Sequence, residues 1–131
     1  MSSPEEAILV DSVILIDLLN GIEEAQTYVQ SVRREATLSV VTRAEVLVGT
    51  TAHENERAAR RLLDRFPCLP LTLETADRAA RLRRQHGWHL PDAFQAALAR
   101  HHDLQLATRN TKDFDPDTYE FVHVPYRLSA S

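Results

Sequence analysis

The chain has 131 residues, 44% hydrophobic and 26% charged. That balance predicts one globular domain over residues 1–131, with a core that needs no covalent staple, and it excludes a disordered or low-complexity chain. A net charge of −4 withholds the global positive field of many nucleic-acid binders, and a single cysteine excludes an internal disulfide.

Residues 7–10 form an apolar run ended by Asp11 and Ser12, and residues 13–19 continue apolar until Asn20-Gly21 stops them, which reads as strand, turn and helix. Residues 22–35 carry Ile22, Ala25, Tyr28, Val29 and Val32 at helical spacing, and 37–41 is again β-rich. Thr42 opens the next helix, where Thr42-Arg43-Ala44-Glu45 matches a capping box, and Gly49 loosens it. Ala58, Ala59, Leu62, Leu63 and Phe66 mark an amphipathic helix that Pro67 ends. Residues 69–73 read as a short strand placed near a sheet edge by Pro70, which has no N–H to give a ladder. Thr75 caps a helix with the stripe Ala76, Ala79, Ala80 and Leu82, closed by Gly87. Pro91 sits in the first turn of a helix running to about His102, with Ala93, Ala96, Ala97 and Phe94 facing inward. Residues 104–107 and 121–124 are the last strands, separated by a loop or short helix over 108–114.

Strands alternating with helices predict a three-layer α/β sandwich with a mostly parallel central sheet of about five strands. In such a sheet the strand-to-helix turns gather at one edge. Asp11, Glu45, Asp92 and Asp113 occupy such turns or the helices that begin there. Taken singly, each acid has a capping explanation. Taken together they form an anionic pocket, stable only if a cation neutralises it or some carboxylates protonate. With oxygen donors and no paired Cys or His at zinc spacing, the pocket suits Mg2+, with Mn2+ as a substitute, and the matching chemistry is phosphodiester hydrolysis.

At this point the segments VDSVILIDLL, LSVVTRAEVLVG and LPDAFQAALARHHDLQLATRNTKDF, together with the alternating layout, resemble the PIN domain, and in size and motif wording the VapC-type toxins of bacterial toxin–antitoxin pairs. The resemblance covers essentially the whole chain. It implies a metal-dependent ribonuclease, usually a homodimer, held inactive by a small cognate antitoxin. Carried onto this sequence, it makes Asp11 and Asp92 the principal metal ligands and Glu45 a ligand or an orienter of the attacking water. The fourth position falls on Asn110, two residues after Thr108, or on Asp113 one turn later; Asp113 is taken as the carboxylate with Asn110 assisting. The family commonly has Thr and then Asn or Ser after the first Asp, where this chain has Ser12 and Val13; Ser12 keeps the hydroxyl and Val13 loses a polar contact. Ser12, Thr108 and Asn110 are thereby expected on the substrate side.

Arg109 and Lys112 flank the fourth acid and are candidates for phosphate contact, with solvation as the alternative. The clusters Arg57, Arg60, Arg61, Arg65 and Arg78, Arg81, Arg83, Arg84 read as solvated helix faces, as does Arg43 at its helix start. His101-His102 complements a helix C-terminus, and His89, three residues from Asp92, reads as a loop residue without a role, with approach to the pocket as the alternative. Trp88 anchors its loop in the core rather than stacking a base. Cys68, in FPCLPL, is expected to be a small buried hydrophobe, and the apolar surface between Ala52 and Phe66 to serve a second copy or the antitoxin.

An opening without a basic start and apolar core, and the lack of any apolar run near ~20 residues, predict a cytoplasmic protein without a membrane partner. Two rival enzymes are disfavoured. A haloacid dehalogenase-type phosphatase needs a second Asp where Val13 stands, and a receiver domain needs paired acids after its first strand. RNA is expected as substrate in preference to duplex DNA, because a net acidic protein suits a short local grip on an exposed strand. A non-catalytic binding module on the same fold, its site drifted, is the alternative.

Overall fold

The computed structural model describes residues 7–50 and 53–128. The opening residues used in the leader reading, and Ala52, lie outside the described residues.

Five parallel strands form the sheet: β1 (Ile8–Val10), β2 (Ala36–Ser39), β3 (Cys68–Leu69), β4 (Gln105–Ala107) and β5 (Val122–His123), in the order β3-β2-β1-β4-β5. Six helices connect them: α1 (Ser12–Leu19), α2 (Glu23–Ser31), α3 (Val40–Val48), α4 (His53–Leu63), α5 (Leu73–His86) and α6 (Leu90–His101). The expected α/β sandwich is borne out.

Strand periodicity builds the three layers. Successive side chains point to opposite sheet faces, so Leu9 and Val10 part company. Leu9, in register with Leu106, joins Trp88, Phe114, Leu82 and the α6 alanines in one core; Val10, in register with Ala107, joins Ile14, Leu15, Leu38, Val46 and Leu63 in another. Helices α5 and α6 cover the first face, and α1 to α4 cover the second. Ala93, Ala96 and Ala97 are fully buried, which lets α6 approach the sheet closely.

Several boundaries differ from the sequence reading, each for a capping reason. Strand β2 stops at Ser39, not at 41, because the Ser39 hydroxyl accepts the Thr42 N–H and starts α3 two residues before Thr42. The Thr42–Glu45 capping box therefore does not form; the Glu45 side chain reaches Ser12 instead. Thr72, not Thr75, caps α5, and Thr75 reciprocates by accepting the Thr72 N–H. Gly87 closes α5 in the left-handed region at φ 75°, where a Cβ is strained.

Strand β3 does lie at the sheet edge as Pro70 implied, but that exposes Cys68, contrary to the expected burial. Trp88 is buried, stacked on the His86 ring and edge-on to Phe114. The apolar residues of α4 and its following turn, Ala59, Leu62, Leu63 and Phe66, are buried in the core, and the surface that stretch still shares is a groove with α1 and α3 at Asn55 and Ala58.

Candidate active site

The order β3-β2-β1-β4-β5 places the topological switch between β1 and β4, where consecutive connections leave toward opposite faces and a crevice opens at the strands' carboxyl ends. Asp11 stands there. Its N–H donates to the Ala107 carbonyl at 2.9 Å, and it caps α1, its carboxylate accepting the Ser12 N–H at 2.8 Å. Asp11 thus does cap α1, and its place at the switch point is independent of that role. Its Oδ1 also accepts from Gln95 Nε2 at 3.2 Å, and its Oδ2 from the Thr108 hydroxyl at 2.7 Å. Three donors on one carboxylate fix its rotamer.

The Ser12 hydroxyl donates to Glu45 Oε1 at 2.8 Å, which ties α1 to α3. Asp92 sits in the first turn of α6, whose N-cap residue His89 makes no side-chain cap bond. The Asp92 carboxylate makes no hydrogen bond among the described residues and therefore does not serve as a cap. Asp113, in the loop after β4, accepts from the Asn110 side-chain amide at 3.2 Å. One ligand atom each from His89, Asp92 and Asp113 lies within 4.8 Å of the others.

Electrostatics links the set. Burial pushes the Asp92 carboxyl up to about 6, and the charges of Asp11, Asp113 and Glu45 add to that, with His89 opposing. Burial also raises Glu45, against the Ser12 hydrogen bond, with Asp11 pushing the same way. Ser12 bridges Asp11 and Glu45 through its N–H and its hydroxyl, Asp92 and Asp113 share a cluster with His89, and the charges of Asp11, Asp113 and Glu45 all act on Asp92, so the four acids named from sequence line one crevice, contributed by the N-cap of α1, the middle of α3, the first turn of α6 and the loop after β4. Such a donor set, oxygens with one imidazole at its rim, fits a hard divalent cation.

Three residues expected on the substrate side are placed otherwise. Thr108 is fully buried, donating to Asp11 and accepting the Asn110 N–H at 3.0 Å, and Ser12 is buried with its hydroxyl committed to Glu45; both hold the site together from behind. Arg109 is committed too. Its Nε and Nη2 donate to Asp17 at 2.7 and 3.0 Å, so its fork is occupied by a carboxylate and not left for phosphate. Lys112 remains exposed, and Asn110 is partly so. Arg43, read as solvated, pairs with Asp64 at 2.9 Å.

Sequence reasoning missed Gln95 and underrated His89. Gln95 had a signal: a lone amide among the alanines of an inward helix face. Thr108→Val is expected to cost about 1–3 kcal/mol, because it leaves the Asn110 N–H and one Asp11 oxygen without their buried partner; thermal unfolding measures it, and an unchanged midpoint speaks against this holding role.

Comparison with known proteins agrees with this arrangement. The PIN domain family matches residues 8–115. The chain is 41% identical over 114 residues to Ribonuclease VapC10 of Mycobacterium tuberculosis, covering 82% of this chain and 85% of that protein. Among solved structures it resembles a toxin–antitoxin complex from Klebsiella pneumoniae, with a TM-score of 0.85 and 35% identity over 93% of this chain and 100% of the other. It also resembles FitAB bound to an IR36 DNA fragment, with a TM-score of 0.74 and 25% identity over 93% and 97% of the two chains. A family match across most of the length, joined to the same fold and to acids gathered at its switch point, leads to one conclusion: the chain belongs to the PIN domain family.

Proposed function

We propose that this chain is an endoribonuclease that hydrolyses RNA phosphodiester bonds with Mg2+ or Mn2+ and acts in the cytoplasm as the toxin of a toxin–antitoxin pair. The observation that carries this reading is the meeting of Asp11, Glu45, Asp92 and Asp113, four carboxylates from distant parts of the chain, with Ser12 bridging Asp11 to Glu45 and with Asp92 beside Asp113. Four carboxylates in one crevice suit a cation, and retention of the full acidic set disfavours the drifted, non-catalytic alternative. The ribonuclease VapC10 of Mycobacterium tuberculosis supports the choice of reaction. No helix among the described residues is long and apolar enough to cross a membrane.

Asp11, Glu45 and Asp92 would hold the cation, with Asp113 adding charge beside Asp92. When bound, a divalent ion acidifies a water and neutralises charge on the phosphate. The residues themselves supply order. Ser12 holds Glu45 by Oε1, leaving Oε2 to orient the attacking water and take its proton. Thr108, Ser12 and Gln95 keep Asp11 from rotating away. Lys112 and the Asn110 amide stand on the same loop as Asp113 to meet phosphate oxygens.

Two grooves fit two protein partners. Val40, Val41, Leu71, Leu90 and Phe94 line an almost wholly apolar groove beside Glu45, which suits a second copy, since obligate homodimer contacts are the more hydrophobic kind. Ile16, Leu19 and Ala58 line a groove between α1, α3 and α4 together with Asn20, Thr50 and Asn55, a mixed surface that suits an amphipathic antitoxin helix. Leu90→Glu is expected to convert dimer to monomer in light scattering while leaving the circular dichroism spectrum intact; an unchanged mass removes this face from the dimer.

The test of the reaction is direct. Chain freed of any partner is incubated with single-stranded RNA in Mg2+, Mn2+ or EDTA. Cleavage is expected with either ion, none in EDTA and none for Asp11→Asn. Cleavage that survives both EDTA and that substitution overturns the reading.

A further inference from the structure

The amide of Gln95 is an unusual thing to bury. It is 1% exposed, on a helix whose other buried residues are alanines and Leu98, and a buried amide is costly unless it is bonded. Here it is bonded throughout. Oε1 accepts the Ser39 hydroxyl at 2.6 Å; Nε2 donates to the Thr42 hydroxyl at 2.7 Å and to Asp11 Oδ1 at 3.2 Å. Asp11 as a carboxylate only accepts, so the amide must turn its NH2 that way, and Thr42, whose proton goes to the Val10 carbonyl, agrees with that choice.

A carboxylate offers about four lone-pair positions. On Asp11, Oδ1 has both of its positions filled, by the Ser12 N–H and by Gln95, while Oδ2 accepts only Thr108 and keeps one open. Asp11 therefore has one free oxygen position to offer a ligand. The Ser12 contact is built into the α1 cap; Gln95 is the donor that closes Oδ1, and it comes from a different helix.

We infer that Gln95 is a positioning residue that sets metal specificity by restricting Asp11 to coordination through Oδ2 alone. The inference rests on the proposed reading of Asp11 as a metal ligand. Mg2+ demands near-octahedral geometry and takes a carboxylate by one oxygen, whereas Ca2+ takes six to eight ligands and readily accepts both oxygens of one carboxylate. Closing Oδ1 removes the bidentate mode and with it part of the advantage a larger ion would have.

Calorimetric titration of the intact protein with Mg2+, Mn2+ and Ca2+ tests this, comparing wild type with Gln95→Met, which keeps length and apolarity but donates nothing. Wild type is expected to prefer Mg2+ and Mn2+ to Ca2+, and the substitution to shrink that preference about tenfold. A residue that serves the fold only will lower the unfolding temperature and leave the ratio of affinities unchanged, which overturns the inference while the metal reading stands. Diffraction from wild-type crystals soaked in Mn2+ or Ca2+ decides the matter even if Gln95→Met does not fold. The expected result is Asp11 Oδ2 on the ion, with Oδ1 still held by Ser12 and Gln95. Both oxygens on the ion overturn it, and a wild type that binds none of the three ions overturns this inference and the metal reading together.

Discussion

Asp92→Asn is expected to lower RNA cleavage by on the order of 10³-fold and at the same time to make the metal-free protein harder to unfold at pH 7.5. The two effects share one cause. Asp92 is pushed from its ordinary 3.8 up to about 6 by burial and by three neighbouring carboxylates. Between those values the folded protein keeps a proton that the unfolded chain has released, so stability falls as pH rises through that window and stays reduced above it. The step corresponds to roughly 3 kcal/mol at full strength, and solvent screening of a partly exposed group brings the expected gain from Asn to about 1 kcal/mol. Thermal scans in EDTA should therefore favour Asn at pH 7.5 and show little difference at pH 3. In Mn2+ the order should reverse, because an ion that binds only the folded wild type stabilises it by mass action. A variant that is less stable than wild type in EDTA at neutral pH, or that still cuts RNA, rules out a repulsive metal-binding site centred on Asp92.

The reach of the sequence can be traced residue by residue. Asp11 and Glu45 were legible because the hydrophobic period changes beside them, from strand to helix, and a parallel sheet then gathers such turns. Asp92 was legible as a helix start through Pro91, but its direction toward the others depended on how α6 packs, and no local pattern states that. The β2–α3 boundary was misplaced because Val40 and Val41 are good strand formers while the Ser39 cap that commits them to helix is a single hydroxyl. Ser12 and Thr108 were placed on the substrate side by the family resemblance, which does not fix where a hydroxyl points; whether it faces solvent or a partner such as Glu45 or Asp11 is settled by chain segments 33 and 97 residues away. Gln95 broke an alanine pattern and could have been noticed. The partners of Arg109 could not, since Asp17 lies 92 residues upstream and Tyr126 sits in what reads as a polar tail.

That last cluster carries the other large expected effect. Arg109→Ala is predicted to destabilise the protein by about 3 kcal/mol or more, a fall in unfolding temperature of about 10 °C. Asp17 has a side chain only 9% exposed; it accepts two bonds from the Arg109 fork and one at 2.8 Å from the Tyr126 hydroxyl, whose ionisation is pushed far up by burial and by that carboxylate. Removing the arginine leaves a buried charge with one neutral partner. The pair also joins α1 to the loop that follows β4, the segment on which Thr108, Asn110 and Asp113 stand, so the loss should reach cleavage as well as folding. Tyr126→Phe should cost only about 1 kcal/mol, because it removes one neutral donor and leaves the ion pair intact. Asp17→Leu combined with Arg109→Leu should recover most of the stability lost by Arg109→Ala, since the uncompensated charge is gone, yet should not recover full cleavage, since the loop has lost its tether. If Arg109→Ala unfolds at the wild-type temperature, or if the double variant is no more stable than the single one, the ion pair is not what fastens the loop to α1.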